Sequence, residues 1–437
     1  MVKLYYDFHK MVRAKYILFI LALSFTASAF GQEQIKLLHH NVLYYGKNVY
    51  QCTDQSNNVN VKTDGLKQIF DYVKPDIFTC NEMDAEQQDV DYLLDNALNQ
   101  NGRTSFVAAK MVGTYLVNQL YYNSDKLGLS SVESMVMGSY ERNANFYKLY
   151  SKENTLRAPN DTAFIHIVLL HLKAGDEPKN ETTRASQITK VMNKIDALGW
   201  DENVFIVGDL NFYKASEAAY QSMTDSNRGG VYFKDPVSQE GYWHNNGNYS
   251  LYHTQSTHSA YTGCAVSGGS DDRFDFILCD SKTKDGQAFW KYVIDSYDVV
   301  GQDGKHFNKA ITDLPDSNDN LDAIDYPESL KQAIYNTSDH YPVVLTIGQK
   351  ATAIKQNRKN NVVVVENPFT EEIKIKGLPQ GKVTFDVYSV LGSVVTHGMR
   401  AYEGGELRIK ISQPSGIYIV KIVDAKGEVH GLRVIKK

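Results

Sequence analysis

Apolar and polar positions follow two different rhythms along this chain, and the change falls near residue 350. Before it, apolar runs of strand length are interleaved with segments of helical period. Residues 35–45 (IKLLHHNVLYY) read as a strand. Leu66, Ile69, Phe70 and Val73 then keep the 3, 4, 7 spacing of a helix over about 61–73, which Pro75 stops. A second strand, DIFTCNE (76–82), precedes a helix over about 87–98 with Val90, Leu93, Leu94 and Ala97 on one face, and 106–111 and 115–123 read as strands or hairpins. AFIHIVLLH (163–171) and NVFIVGD (203–209) are apolar enough to be central strands, and they bracket a helix carrying Ile188, Met192, Ile195 and Leu198. Residues 229–269, rich in Gly, Asn, His, Ser and Tyr, read as a long irregular surface region over the active edge with Trp243 and His244 exposed. After a charged linker at 349–360, six or seven short strands follow within 361–437 and no helical period appears, which describes a small β-sandwich.

The first 31 residues fall outside the fold. Lys10, Arg13 and Lys15 precede the short apolar run YILFILALSF, and small residues follow in TASAFG, the pattern of a secretory signal. No later segment is long and apolar enough to span a membrane, so no transmembrane segment is expected in the mature chain. Setting residues 1–31 aside moves the formal charge from −5 to about −8, and the tail is slightly basic, leaving about −11 on 32–360. That balance disfavours a broad nucleic-acid grip without excluding a local one. An exported chain permits disulfides. Cys52 and Cys264, both in polar loops, are the candidate pair, and Cys80 and Cys279 read as buried thiols.

Chemistry concentrates at strand ends. Asn41, the Asn81–Glu82 pair, His171, Asp209 with Asn211 in GDLN, and Asp339–His340 in TSDHYPVVL lie far apart in sequence, each at an edge where packing does not need a polar group. Carboxylate, carboxamide and imidazole in that combination suit phosphate-ester hydrolysis with a hard divalent cation. Glu82 is the first-choice ligand, with Asn41 as a neutral oxygen beside it. His340 suits a general base. Asp209 and Asn211, two apart, would share a face if extended, the first orienting water and the second donating to phosphate. His171 should emerge at the rim as a protonated imidazole, whereas His166, of opposite parity, suits the core.

With those motifs in order (Asn41, Glu82, His171, Gly208-Asp209-Leu210-Asn211 and Ser338-Asp339-His340), residues 32–347 resemble the endonuclease/exonuclease/phosphatase superfamily. The tail, through ENPF, DVYSVLG and QPSGIYIVKI, resembles a type IX secretion sorting domain. The first resemblance implies an α+β fold, a four-layer α/β/β/α sandwich with two mixed sheets, over 32–348. It also implies one site with Mg²⁺ (or Mn²⁺; Ca²⁺ would serve) held by Asn41, Glu82 and Asp339, and catalysis by His171, Asp209, Asn211, Asp275 and His340. Whether Asp275 or Asp339 orients His340 stays open, although strand parity favours Asp275. Tyr121 and Tyr122 fall where some relatives carry an active-site tyrosine. The second resemblance implies the type IX secretion machinery as partner and a secreted or outer-membrane-surface location in a Bacteroidota-type bacterium. A monomer is expected. The substrate stays open between nucleic acid, as for a non-specific DNA endonuclease, and a small or lipid-linked phosphate ester. A catalytically inactive surface binding module is a third reading.

Overall fold

The computed structural model describes residues 33–138, 142–152, 162–316, 325–349, 362–389 and 393–437, in two compact units that divide between residues 350 and 351. The expected signal segment and, apart from Gln349, the expected linker lie outside the described residues. Gln349 itself ends a strand, paired with Trp290.

Two sheets build the first unit. One runs β11 (Trp290–Tyr292), β13 (Val343–Gln349), β1 (Gln34–Tyr45), β2 (Ile77–Asp84), β4 (Leu116–Asn123) and β3 (Phe106–Ala108), with β12 (Asp298–Val299) also paired to β13. The other runs β5 (Leu127–Val136), β6 (Asn143–Ser151), β7 (Phe164–His171), β8 (Val204–Asp209), β10 (Asp275–Asp280) and β9 (Phe233–Lys234). Each is mixed: β1 and β2 are parallel, as are β7 and β8, and the other neighbours are antiparallel. The period-2 alternation sends Ile35, Leu37 and Ile77 of the first sheet and Ile165, Ile167, Leu169, Phe205, Val207 and Ile277 of the second into one shared core.

The opposite faces take the helices. On the first sheet α1 (Val59–Val73) seats Phe70 against Phe78, ring centroids 4.9 Å apart. It begins two residues before the periodicity does, because Asn58 caps the amides of Asn60 and Val61. The next helix, α2 (Gln87–Leu93), passes into a π-helical turn at Leu94–Leu98 where one regular helix is expected. On the second sheet α3 (Pro178–Ala197) presents Ile188, Val191, Met192 and Ile195 to Val168, Leu170, Ile206 and Phe276. The order is therefore helix, sheet, sheet, helix, the four layers expected. Shorter helices α4 (Ala218–Thr224), α5 (Ser281–Lys284) and α6 (Glu328–Thr337) complete the unit.

The stretch 229–269 departs from its reading. Trp243 is fully buried and its indole N–H donates to the Gln239 carbonyl at 2.7 Å. His253, Thr254, Ser256, Thr257 and His258 are buried as well. This stretch packs into the molecule because its small and polar residues satisfy backbone groups that a strand would otherwise pair. Cys52 and Cys264 are joined, and Cys80 and Cys279 are buried and free.

The tail is all-antiparallel. A three-stranded sheet, β14 (Val363–Val364), β15 (Glu372–Lys376) and β18 (Leu407–Lys410), joins a four-stranded one, β17 (Val394–Tyr402), β16 (Gly381–Ser389), β19 (Gly416–Val423) and β20 (Val429–Lys436). They share a core of Phe369, Ile373, Ile375, Phe385, Val420 and Val434. The edge strand β17 carries His397, Gly398, Met399 and Arg400, which break the alternation of its sequence.

Candidate active site

The two parallel strand pairs decide where chemistry can sit. The carboxyl ends of β1 and β2 lie over those of β7 and β8, at one edge of the shared core. There, inward-facing positions run out of apolar partners and take polar residues. On the second sheet His171 pairs with Asp209 and Asp209 with Asp275, so three adjacent strands line up imidazole, carboxylate and carboxylate. On the first sheet Asn41 pairs with Asn81, and His39 precedes Asn41 on the same face. Gly208 carries a φ of 140°, and a Cβ there would lie 1.8 Å from the Leu170 carbonyl oxygen, so the GDLN turn needs its glycine to let β8 close on β7.

Bonds cross between the sheets. Asn41 Nδ2 donates to Asp209 Oδ2 (3.1 Å) and lies 3.4 Å from His340 Nε2, while its Oδ1 accepts the Leu43 amide (3.0 Å). Asn81 Oδ1 accepts the Asp209 backbone N–H at 2.8 Å, and its own amide donates to Asn118 Oδ1 at 2.7 Å. His340 Nδ1 lies 2.7 Å from Asp275 Oδ2, which settles its orienting carboxylate as Asp275. His39 Nε2 approaches the other Asp275 oxygen at 3.4 Å. Asp339 divides its oxygens: Oδ2 accepts the Val266 amide at 2.9 Å, while Oδ1 lies 3.9 Å from His340 Nε2. Glu82, in the left-handed region at φ 63°, groups with His171 and Asp209: one ligand atom from each lies within 4.8 Å of the others.

Electrostatics separates the roles. Burial raises the Glu82 pKa, the Asp339 charge adds to this, and Arg142 opposes it. Asp209 is pushed to about 7, by burial first and then by Asp275 and Glu82 against the pull of His340. Burial would lower His340, but Asp275, Asp209 and Asp339 together raise it well above its ordinary value. The amide groups of Gln255 (2.8 Å) and Asn41 at Nε2 instead suit a neutral ring with a lone pair there.

His171 corrects its expected role. It is 5% exposed, and burial, with Arg142 and His340 nearby, drives its pKa well below the ordinary value, so the ring is neutral. Asn211 also differs. The strand ends at Asp209, Asn211 adopts φ 52°, and its amide folds back onto Asp209 Oδ1 at 2.7 Å. Asp209 and Asn211 therefore do not lie side by side on an extended face. Tyr121 is buried, its hydroxyl donating to the Val90 carbonyl under α2, and takes no part in the site.

The donor set fits a hard divalent cation. Glu82 Oε2 and Asp339 Oδ1 are buried oxygens with no hydrogen-bond donor among the described residues. Carboxylate oxygens left that way are costly unless a cation satisfies them. Sequence reading missed four supporting residues: His39, Asn118, Gln255 and Lys62. Lys62 is buried on α1, its ammonium on the carbonyls of Val42 and Leu43 just after Asn41. A lysine inside an otherwise apolar helical face was the available signal. Gln255 had none.

Comparison with known proteins bears on both units. Residues 366–437 match the family model described as a secretion system C-terminal sorting domain. The tail is a sorting domain of type IX secretion, and the chain is a secreted or cell-surface protein. Among the described residues no helix is long and apolar enough to cross a membrane. No curated protein matches the chain. Similar solved structures include the endonuclease/exonuclease/phosphatase from Bacteroides vulgatus, 15% identical with a TM-score of 0.46, covering 73% of this chain and 100% of that one. D. rerio TDP2 complexed with single strand DNA product is 16% identical with a TM-score of 0.46, covering 72% and 100%. The human Nocturnin catalytic domain with bound sulfate anion is 13% identical with a TM-score of 0.44, covering 72% and 94%.

Proposed function

We propose that residues 33–349 form a secreted, divalent-metal-dependent phosphoric ester hydrolase that cleaves phosphodiesters, with nucleic acid as the leading substrate class. One observation supports the reading: Glu82, His171 and Asp209 converge in a buried site, and beside them Glu82 Oε2 and Asp339 Oδ1 have no hydrogen-bond donor among the described residues, next to a histidine oriented by its own buried aspartate. Mg²⁺ or Mn²⁺ held by Glu82, with Asp339 beside it, would supply positive charge for the phosphate oxygens and acidify a water, whereas Asn41, expected to offer an oxygen, spends its Oδ1 on the Leu43 amide and turns its NH2 to the site. The chain's own groups do the rest. Asp275 fixes the His340 ring so that Nε2 faces the site as a base. Asp209, held by Asn81 through its backbone and by Asn41 at Oδ2, orients that water towards His340. Neutral His171 stabilises phosphate oxygens by hydrogen bonding. Asn211 acts by fixing Asp209.

Aromatic residues at the rim favour nucleic acid over a small phosphate. The charges of Glu82 and Asp339 reach the Tyr44 phenol, and its ring lies 5.4 Å from that of Tyr50, which is 78% exposed. Tyr115 and Tyr261 are also exposed. Such rings stack on unpaired bases at little cost in sequence preference.

The test is hydrolysis of a chromogenic phosphodiester, then a panel of plasmid, single-stranded DNA, RNA, inositol phosphates and phospholipid head groups, with Mg²⁺ or Mn²⁺. Glu82→Gln, Asp209→Asn and His340→Ala should each lose about two to four orders of magnitude in rate. A rate indifferent to EDTA, or intact in His340→Ala, refutes the mechanism. Phosphodiester turnover that spares every nucleic acid moves the substrate to the small or lipid-linked class.

A further inference from the structure

Two loops frame the site from the side of the first sheet, and a covalent bond joins them. The last turn of β1, where its register with β2 shifts after Asn41, takes Leu43 and Tyr44 through left-handed φ values of 44° and 52°, and the loop that follows carries Cys52. The other loop runs from Gln255 to Val266 and carries Cys264. Its two ends hold the catalytic pair. Gln255 reaches His340 Nε2, the Thr257 amide and hydroxyl bond the carbonyls of Asp339 and Ser338, and the Val266 amide donates to Asp339 Oδ2. Cys264 lies two residues before Val266.

Little else fixes these loops to each other. Leu43, Cys52, Cys264 and Ala265, with Tyr44 beside them, form a separate four-residue apolar cluster outside both large cores. Among the described residues the hydrogen bond crossing between the loops is Tyr261 hydroxyl to Gln51, and it is exposed. Each loop is tied to its own neighbours, His258 stacking on Tyr335 and Asn57 bonding the Tyr44 and Lys47 carbonyls, while an open cleft of about 560 Å³ is lined by Gln51, Thr53, Ser56, Lys62, Thr262 and Gly263 of the two loops and the helix beside them.

We infer that the Cys52–Cys264 disulfide is a positioning element of the active site: it holds Val266 on Asp339 and the Leu43 turn on Asn41, and the enzyme reaches full activity only once the bridge has formed. The inference rests on the hydrolase reading for its kinetic consequence, not for the loop geometry. A dithiol reduces the bridge by exchange: two electrons and two protons pass to the cysteines, giving two thiols, and the dithiol leaves as a cyclic disulfide. Formation is the reverse exchange with an oxidised protein dithiol of the cell envelope. The chain would thus be weakly active in a reducing cytoplasm and become active after export, the route that its sorting domain serves.

The experiment uses the full chain, oxidised and after mild dithiol reduction verified by the rise from two thiols to four, together with Cys52→Ser. Kinetics on the chromogenic phosphodiester are paired with hydrogen exchange. Loss of an outer-shell contact of this kind costs about 10- to 100-fold, so kcat should fall by that factor with KM within about threefold. Exchange should rise in 258–266 while β7 and β8 stay protected. Unchanged kcat and unchanged exchange in 258–266 after complete reduction overturn the inference. So does loss of protection in β7 and β8 together with activity, which would make the bridge merely structural. An oxidised enzyme inactive on every phosphate ester defeats the hydrolase reading, and exchange in 258–266 still decides whether the bridge orders the loop.

Discussion

His166 offers a perturbation whose size and sign follow from its surroundings. It lies on β7 facing α3, with its ring 4.4 Å from that of Trp200, Nδ1 3.2 Å from the Glu202 carbonyl and Lys148 opposite on β6. Burial pulls its pKa from 6.5 to about 4, with Lys148 adding to the shift and the Glu202 carbonyl and Asp201 opposing it. A folded-state pKa below the unfolded value means that the neutral form is what the fold tolerates. Its contribution is therefore complete above pH 6.5 and is lost as pH falls from 6.5 towards 4. With those two values the penalty is about 0.2 kcal/mol at pH 7 and about 2 kcal/mol at pH 5, approaching a ceiling near 3.4 kcal/mol. His166→Gln removes the titration. Its cost at pH 7.5, set by the lost stacking, should shrink by about 2 kcal/mol at pH 5 and can change sign. Urea unfolding followed by tryptophan fluorescence measures this in the intact chain, because its three tryptophans, Trp200, Trp243 and Trp290, all lie in the first unit. A cost of substitution equal at the two pH values would show that the imidazole titrates normally and that its burial carries no penalty.

Other substitutions probe the frame around the site. Arg184→Ala leaves Glu217 buried without its 2.7 Å partner and should cost about 3–5 kcal/mol by the same urea assay, whereas Arg184→Met with Glu217→Leu recovers much of it. Gly208→Ala drives a methyl into the Leu170 carbonyl, so it should abolish phosphodiester turnover and lower the melting temperature, unlike a loop glycine such as Gly229, where a Cβ meets nothing. Lys62→Met strips the Val42 and Leu43 carbonyls of their donor, at about 1–3 kcal/mol, and turnover should fall with it. Deleting 362–437 should leave turnover within about twofold, since the tail has its own core, while the protein stays in the periplasm of its host.

What the sequence revealed and what it hid divide along one physical line. Period-2 runs such as IHIVLL declare both faces of a strand, because a polar residue placed on either buried face would be expensive. The same cost makes His171, Asp209 and Asp275 conspicuous where those runs stop. Parity even separated His166, stacked on Trp200 on the opposite face of β7, from His171, which lines the inter-sheet site. Parity could not reveal how deep an end position lies. His171 ends its strand yet is closed over by the neighbouring elements, and closure reverses the charge state expected of it. Composition misled where backbone, not side chains, does the packing. The Gly, Asn and Ser that mark 229–269 as a surface loop are what allow it to fold inward around Trp243 and His253 and to lay Gln255 against His340. The supporting polar groups lay beyond local reach for another reason. Asn118 is satisfied by Asn81 of β2 and by the carbonyl of Asn143 on β6, and Lys62 by carbonyls twenty residues away. A polar residue in an apolar run is therefore best read as a demand for a partner from another strand or loop, and here those demands converge on the strand edge that carries the candidate site.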